Sequence, residues 1–257
     1  MAQNIVIKSV QEFISAISGE LDCDTNRLDI NVSSGVLYRG QGDSSWMMSP
    51  SLYRTNLFDK EQVLISELLR VCPDEFSGLS NFDALVKMQH YGMPTRLLDM
   101  THNPLVALYF ACEDQSLIEK DGSVYLIKNI PTFLQRNYAV HLVLRYIFDF
   151  SSPSLDIGHF VDVLSRDPVI LNSIGSMGLK DIRSTIEHYL GKEPVIAVRP
   201  TLSNPRIIHQ DGAFLLFGMQ SEMSKVSANP GTLGKKYVKF KPWSPCKENS
   251  EIWNQIT

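Results

Sequence analysis

Thr95-Arg96-Leu97-Leu98-Asp99-Met100-Thr101-His102-Asn103-Pro104-Leu105-Val106-Ala107-Leu108-Tyr109-Phe110-Ala111-Cys112 is the stretch whose reading decides the fold. Its first five residues predict a short strand or turn. Gly92 and Pro94 just before them end the preceding helix, because glycine tolerates positive φ and proline constrains its predecessor. Asn103-Pro104 then starts an apolar helix: proline fits the first turn, where its missing donor costs nothing, and Thr101 or Asn103 can cap.

Working outward, Phe82, Leu85 and Val86 predict a helix running into Gln89-His90, and Val63, Leu64, Leu68 and Val71 predict another. Val10, Phe13, Ile14, Ile17 and Leu21 give an amphipathic helix over 9–21. Val36 to Gly40 reads as a short strand ended by glycine, Gln41 to Ser45 as a polar loop, and Met47 to Tyr53 as extended around Pro50. Downstream, Ser123–Ile127, Val195–Val198 and Ala213–Phe217 are strands, Tyr237–Lys241 alternates in strand fashion, and Ser151 to Leu190 mixes helices and loops. The class is α+β, with helices early and strands spread late.

A chain of 257 residues can bury a large core as one domain or as a domain with a sub-lobe. With 44% hydrophobic and 20% charged residues, the composition is that of a globular protein rather than of a chain disordered over most of its length. A net charge of -4 and a pI near 5.9 supply no global basic field for clamping duplex nucleic acid, though a local groove for a single strand is compatible with them. Cys23, Cys72, Cys112 and Cys246 form no CxxC pair, so reduced thiols and no metal are expected. Met1 to Lys8 lacks the basic and apolar regions of a signal peptide, and no apolar run approaches the ~20 residues of a membrane span. A cytoplasmic protein without a membrane partner is the expectation.

Four features carry chemistry. Tyr38-Arg39-Gly40-Gln41 sets a guanidinium and an amide beside a glycine; the guanidinium fork matches phosphate or carboxylate, and the glycine would let a ligand approach the backbone. An internal salt bridge serves Arg39 equally well. Gln89 to Asn103 gathers two imidazoles, a phenol, an arginine, two hydroxyls and an aspartate. Here Asp99 is expected to pair with Arg96, His90 to be a helix-terminal hydrogen bonder, and Thr101 and Asn103 to be caps. Arg206 to Phe214 includes Gln210-Asp211-Gly212, a tight turn that could also hold an amide at a cleft mouth. Lys235, Lys236, Tyr237, Lys239, Phe240, Lys241 and Trp243 suit either stacking on single-stranded bases or, the favoured alternative, an edge strand guarded by lysines.

In this order the blocks resemble the FRG domain family. Tyr38-Arg39-Gly40 is similar to its name-giving motif and Trp46-x-x-x-Pro50-Ser51-Leu52-Tyr53-Arg54 to its second block. Gln89 to Asp99 with Asn103 to Ala111 is similar to its signature, and Arg206 with Gln210-x-Gly212-x-Phe214 to its last block. The resemblance spans roughly residues 9–218 of one FRG-type domain over 1–257, departs at Met100 where the family usually has an aromatic, and leaves 219–257 as a C-terminal extension. The family occurs in bacterial defence and toxin–antitoxin contexts, and the block order is similar in layout to NAD-dependent ADP-ribosyltransferases.

That likeness implies an ADP-ribosyltransferase-like fold with early helices around a split mixed/antiparallel sheet. It implies NAD as co-substrate, single-stranded RNA as acceptor, and an antitoxin protein as partner. Arg39 would anchor NAD, Tyr38 or Tyr91 would stack, and Gln41, Thr95, Arg96, Thr101 and Asn103 would complete the cofactor site. Gln210 would take the late catalytic position and His90 or Asp99 the proton. The alternative is a non-catalytic module in which Arg39, Arg54 and Arg96 recognise a nucleotide or a partner's carboxylates.

Overall fold

Side chains alternate faces along a strand and return every three to four residues along a helix, and these two periods decide which surfaces meet. The computed structural model describes residues 3–21, 36–55, 57–128, 130, 132–150, 157–168, 171–172, 183–184, 187–188, 195–202, 205–218 and 236–240. Its strands are β1 (Gln3–Ile7), β2 (Leu37–Gln41), β3 (Leu97–Thr101), β4 (Gly122–Ile127), β5 (Thr132–Leu134), β6 (Val195–Arg199), β7 (Gly212–Phe217) and β8 (Lys236–Phe240). The helices are α1 (Val10–Leu21), α2 (Ser51–Arg54), α3 (Glu61–Val71), α4 (Pro73–Phe76), α5 (Asn81–His90), α6 (Pro104–Cys112), α7 (Tyr138–Arg145), α8 (Ile157–Leu164) and α9 (Pro205–His209).

The strands form a mixed sheet in the order β1-β8-β4-β2-β3-β7-β6-β5. Pairing is parallel at β1–β8 and β5–β6 and antiparallel elsewhere. Its middle is a seam. β2 pairs with β4 along its whole length, from Leu37↔Ile127 to Gln41↔Ser123, and β3 with β7 from Leu97↔Leu216 to Thr101↔Gly212. Between β2 and β3 the only pair is Tyr38↔Thr101. Two well-paired halves therefore meet at a single point.

Each half has its own cover. Phe13 and Ile17 of α1 and Ala107, Leu108 and Ala111 of α6 pack on Tyr38, Val124 and Leu126. The approach of α6 depends on two missing side chains: a Cβ on Gly40 would lie 1.8 Å from the Ala107 carbonyl oxygen, and one on Gly122 would lie 2.4 Å from that of Ala111. The glycine of the Tyr-Arg-Gly motif thus seats a helix. On the other half, α3, α5, α7 and α8 bury Ile65, Leu85, Val143 and Phe160 against Leu97, Phe214, Leu216 and Ile196. The opposite strand face buries Leu98, Met100, Ala213 and Leu215 with Leu37 and Ile127.

Arg96 pins this second half together. It is 0% exposed, and its Nε donates to both Glu61 carboxylate oxygens at 2.9 and 2.6 Å, with Glu61 also 0% exposed. Nη1 donates to the Gly218 carbonyl, and the guanidinium lies 4.5 Å from the Phe58 ring centroid and 5.5 Å from that of Tyr146. Burial pushes the Glu61 carboxyl above its ordinary range, against the pull of Arg96. The expected Asp99–Arg96 pair does not form, because residues three apart on a strand point to opposite faces.

Other expectations change for physical reasons. Met47 to Tyr53 is not wholly extended, because Pro50 at φ -60, ψ 156 takes the N-cap of α2; proline prevents a helix from running through it and readily precedes one. β8 lies inside the sheet between β4 and β1, so it is not the lysine-guarded edge; β1, which the sequence patterning left unread, covers its outer side. The residues before Gln210 form the short helix α9, ending in a turn with Asp211 at φ 45. Lys235, Lys241, Trp243, Cys23, Cys246 and most of 151–190 lie outside the described residues. Among the described residues no helix is long and apolar enough to cross a membrane.

Candidate functional site

Beyond the Tyr38–Thr101 pair, β2 and β3 have no further ladder pairs, and a cleft of about 390 Å³ lies at this seam, a volume suited to a small ligand. Tyr38 to Gly42 line it from β2 and its loop, Asp99, Met100 and Thr101 from β3, and Phe110, Glu113 and Asp114 from the end of α6. Trp46, Arg54, Leu117 and Gln210 complete it. Residues from both faces of the sheet contribute because the ladder is broken there.

Arg39 spans the break. Its Nη1 donates to the Asp99 carbonyl at 2.7 Å, filling in for a missing ladder bond, while its Nε is buried without a partner. Burial lowers its pKa from the ordinary arginine value; Asp99 opposes this and the positive charge of Arg54 adds to it. Arginine stays protonated regardless, so the cleft holds two guanidinium charges near each other. Gln41 sits two residues on, on the same strand face, 3% exposed and with neither amide atom hydrogen-bonded. Trp46 is 45% exposed at the cleft, and its carbonyl accepts from the Tyr125 hydroxyl at 3.1 Å.

Asp99 and Gln210 lie in the same cleft as Arg39. An Asp99 carboxylate oxygen accepts from Gln89 Nε2 at 3.0 Å, and Gln89 in turn accepts from the Thr95 hydroxyl at 2.7 Å. Thr101 lines the wall, but its hydroxyl donates to the Gln210 carbonyl and accepts from the Asn103 amide at 2.9 Å, so it locks the turn in place. Asn103 caps α6, its Oδ1 accepting from Leu105 N at 2.9 Å.

Arg96, Thr95, His90 and Tyr91 are not among the residues that line the cleft. Arg96 is consumed in its buried pair with Glu61, and Thr95 is fully buried behind Gln89. Tyr38 does line the cleft, while packing in the core under α1 and α6. His90 and Tyr91 are exposed at the end of α5, where the Tyr91 hydroxyl donates to Glu75 at 3.1 Å.

The family comparison covers the part of the chain that builds most of this cleft: the FRG domain model matches residues 34–120. Residues 34–120 are thus similar to the FRG domain. The match takes in β2, α2 to α6 and the cleft residues Arg39, Gln41, Trp46, Arg54, Asp99 and Thr101, while Gln210 comes from beyond it. Neither the curated proteins nor the solved structures include a significant match to the chain.

Within the matched stretch, sequence reasoning passed over Phe110, Glu113 and Asp114. Their signal was present: an apolar helix that ends abruptly in Glu113-Asp114 must place those carboxylates wherever its C-terminal end points. Both are engaged: Glu113 with the Tyr109 hydroxyl, and Asp114 with the amide and hydroxyl of Ser116 at 2.9 and 2.6 Å. The Ser116 hydrogen bonds hold the Asp114 carboxyl below its usual range. Among the described residues no group of three side chains is arranged to hold a metal ion.

Proposed function

We propose that the seam cleft binds NAD and that the protein transfers the ADP-ribose of NAD to a macromolecule, with single-stranded RNA as acceptor, acting in the cytoplasm as a toxin or anti-phage effector. The observation that carries this reading is the meeting of Arg39, Asp99 and Gln210, from three distant parts of the chain, in one cleft. Arg39 and Arg54 offer the paired positive charge a pyrophosphate requires. Trp46 and Phe110 offer aromatic surface to a base, and the Gln210 amide offers hydrogen bonds to ribose hydroxyls.

In such a transfer the bond between the ribose and nicotinamide breaks, and nicotinamide leaves with the electron pair. A nucleophilic atom of the acceptor bonds to the same ribose carbon and loses a proton. A carboxylate beside the developing positive ribose stabilises it and can take that proton. Asp99 is the group for this role, because His90 lies away from the cleft. In a bacterial toxin–antitoxin setting such an activity would call for a neutralising protein partner.

A second reading has one specific observation behind it. The late position is an amide, Gln210, and the hydroxyl of Thr101 and the amide of Asn103 are spent on the protein's own backbone. That arrangement also suits a module that binds a nucleotide and does no chemistry on it. Incubation with NAD and cellular RNA separates the two. Nicotinamide release and label transfer by the wild type, absent in Arg39→Ala, support the transferase; NAD binding without release in the presence of RNA, DNA or protein supports the binding module.

A further inference from the structure

We infer that Gln41 is the specificity-determining residue of the cleft: its side-chain amide reads a ligand edge that presents a hydrogen-bond donor and acceptor side by side. This rests on the cleft being a nucleotide site, but not on its catalysing a transfer.

Three neighbouring side chains carry the inference. Gln41 is 3% exposed, and both its Nε2 and Oε1 are buried with no hydrogen-bond partner. Ser123 is its direct cross-strand neighbour in the β2–β4 ladder, is 2% exposed, and its Oγ is also unpaired. Arg39, two residues along the same strand face, has an unpaired buried Nε. Paired antiparallel residues, and residues two apart on one strand, project from the same face, so these groups adjoin one another beside the cleft.

Folding gives no reason for this cluster. Each buried, unpaired polar group costs stability, and native structures hold few of them. A primary amide has one donor face and one acceptor face, so its complement is a planar edge of the same kind. NAD presents two such edges, the carboxamide of its nicotinamide and the amino group with the adjoining ring nitrogen of its adenine. A glutamine bonded by both atoms to an adenine edge discriminates well against edges that lack the pair.

The experiment holds the phosphates constant and varies the edges. Affinities are measured for NAD, for its 3-acetylpyridine analogue, in which a methyl replaces the carboxamide nitrogen, and for its analogue with a 6-unsubstituted purine in place of adenine. The expected result for the wild type is that one analogue binds about tenfold to hundredfold more weakly than NAD, and which one it is names the edge. Gln41→Met should bind NAD as weakly as that analogue and should no longer tell them apart. Equal binding of all three dinucleotides by the wild type overturns the inference and leaves the cleft as a nucleotide site whose buried amide is satisfied by water. Failure of the folded wild type to bind any dinucleotide overturns the cleft reading itself. The wild-type comparison decides the matter even if Gln41→Met does not fold.

Discussion

Replacing Gly40 with alanine should unseat α6 and spoil the cleft at once. The added Cβ would stand 1.8 Å from the Ala107 carbonyl oxygen and 2.7 Å from the Ala111 amide nitrogen, both backbone atoms of one helix. Reaching ordinary van der Waals contact requires the helix to retreat by about 1.5 Å. Overpacking of side chains that can adjust costs ~1–3 kcal/mol, and a clash with a helix backbone should reach or exceed the top of that range. For a domain of this size that means a fall in Tm of about 6–12 °C or failure to fold. Because α6 delivers Phe110, Glu113 and Asp114 to the cleft, ligand affinity should fall in whatever protein remains folded. Gly42→Ala is the matched control: its Cβ would meet only the mobile tip of Leu117 at 2.7 Å, which can rotate away. Thermal melts of the two variants test this directly. A Gly40→Ala protein melting within about 2 °C of wild type would refute the close-packing argument.

Other outcomes follow from the same geometry. Glu61→Ala leaves the Arg96 guanidinium charged and unpaired in the core, and chemical denaturation should show a loss of ~3–5 kcal/mol, with no analogous loss for the exposed pair partner in Glu67→Ala. Asn103→Ala removes the α6 cap and should cost ~1 kcal/mol, read by the same method, with Asn103→Asp retaining most of it. The Tyr53 hydroxyl donates to the Gly218 carbonyl at 2.8 Å, and burial pushes its pKa up to about 12. The unfolded chain therefore loses this proton first, so stability from Tyr53 is fully present below pH ~10 and declines between pH ~10 and 12. Denaturation midpoints in that window should fall less steeply for Tyr53→Phe than for wild type; identical slopes would show that Tyr53 does not titrate there.

Much of the architecture was legible because it rests on local rules. Asn103-Pro104 before an apolar run specified the start of α6, and Gly92, at φ 85, marked the end of α5. Arg39 and Gln210 could be nominated from glycine-flanked polar residues beside strands. What could not be read depends on pairing between distant segments. Nothing local to Arg96 announces Glu61, because their meeting is set by how α3 lies on β3. The seating of α6 on Gly40 was hidden for the same reason: a glycine beside a ligand and a glycine beneath a helix are identical in sequence. The seam itself, one pair between β2 and β3, is a property of the sheet and leaves no periodicity in either strand.

Isothermal titration with NAD, comparing wild type with Arg39→Ala and Arg54→Ala, measures whether the seam between β2 and β3 is a nucleotide site anchored by paired guanidinium groups. Saturable binding by the wild type and a loss of about tenfold or more in each variant are the results predicted from charge-assisted hydrogen bonds. Binding that is undiminished in Arg39→Ala, or no binding by the folded wild type, would contradict the account.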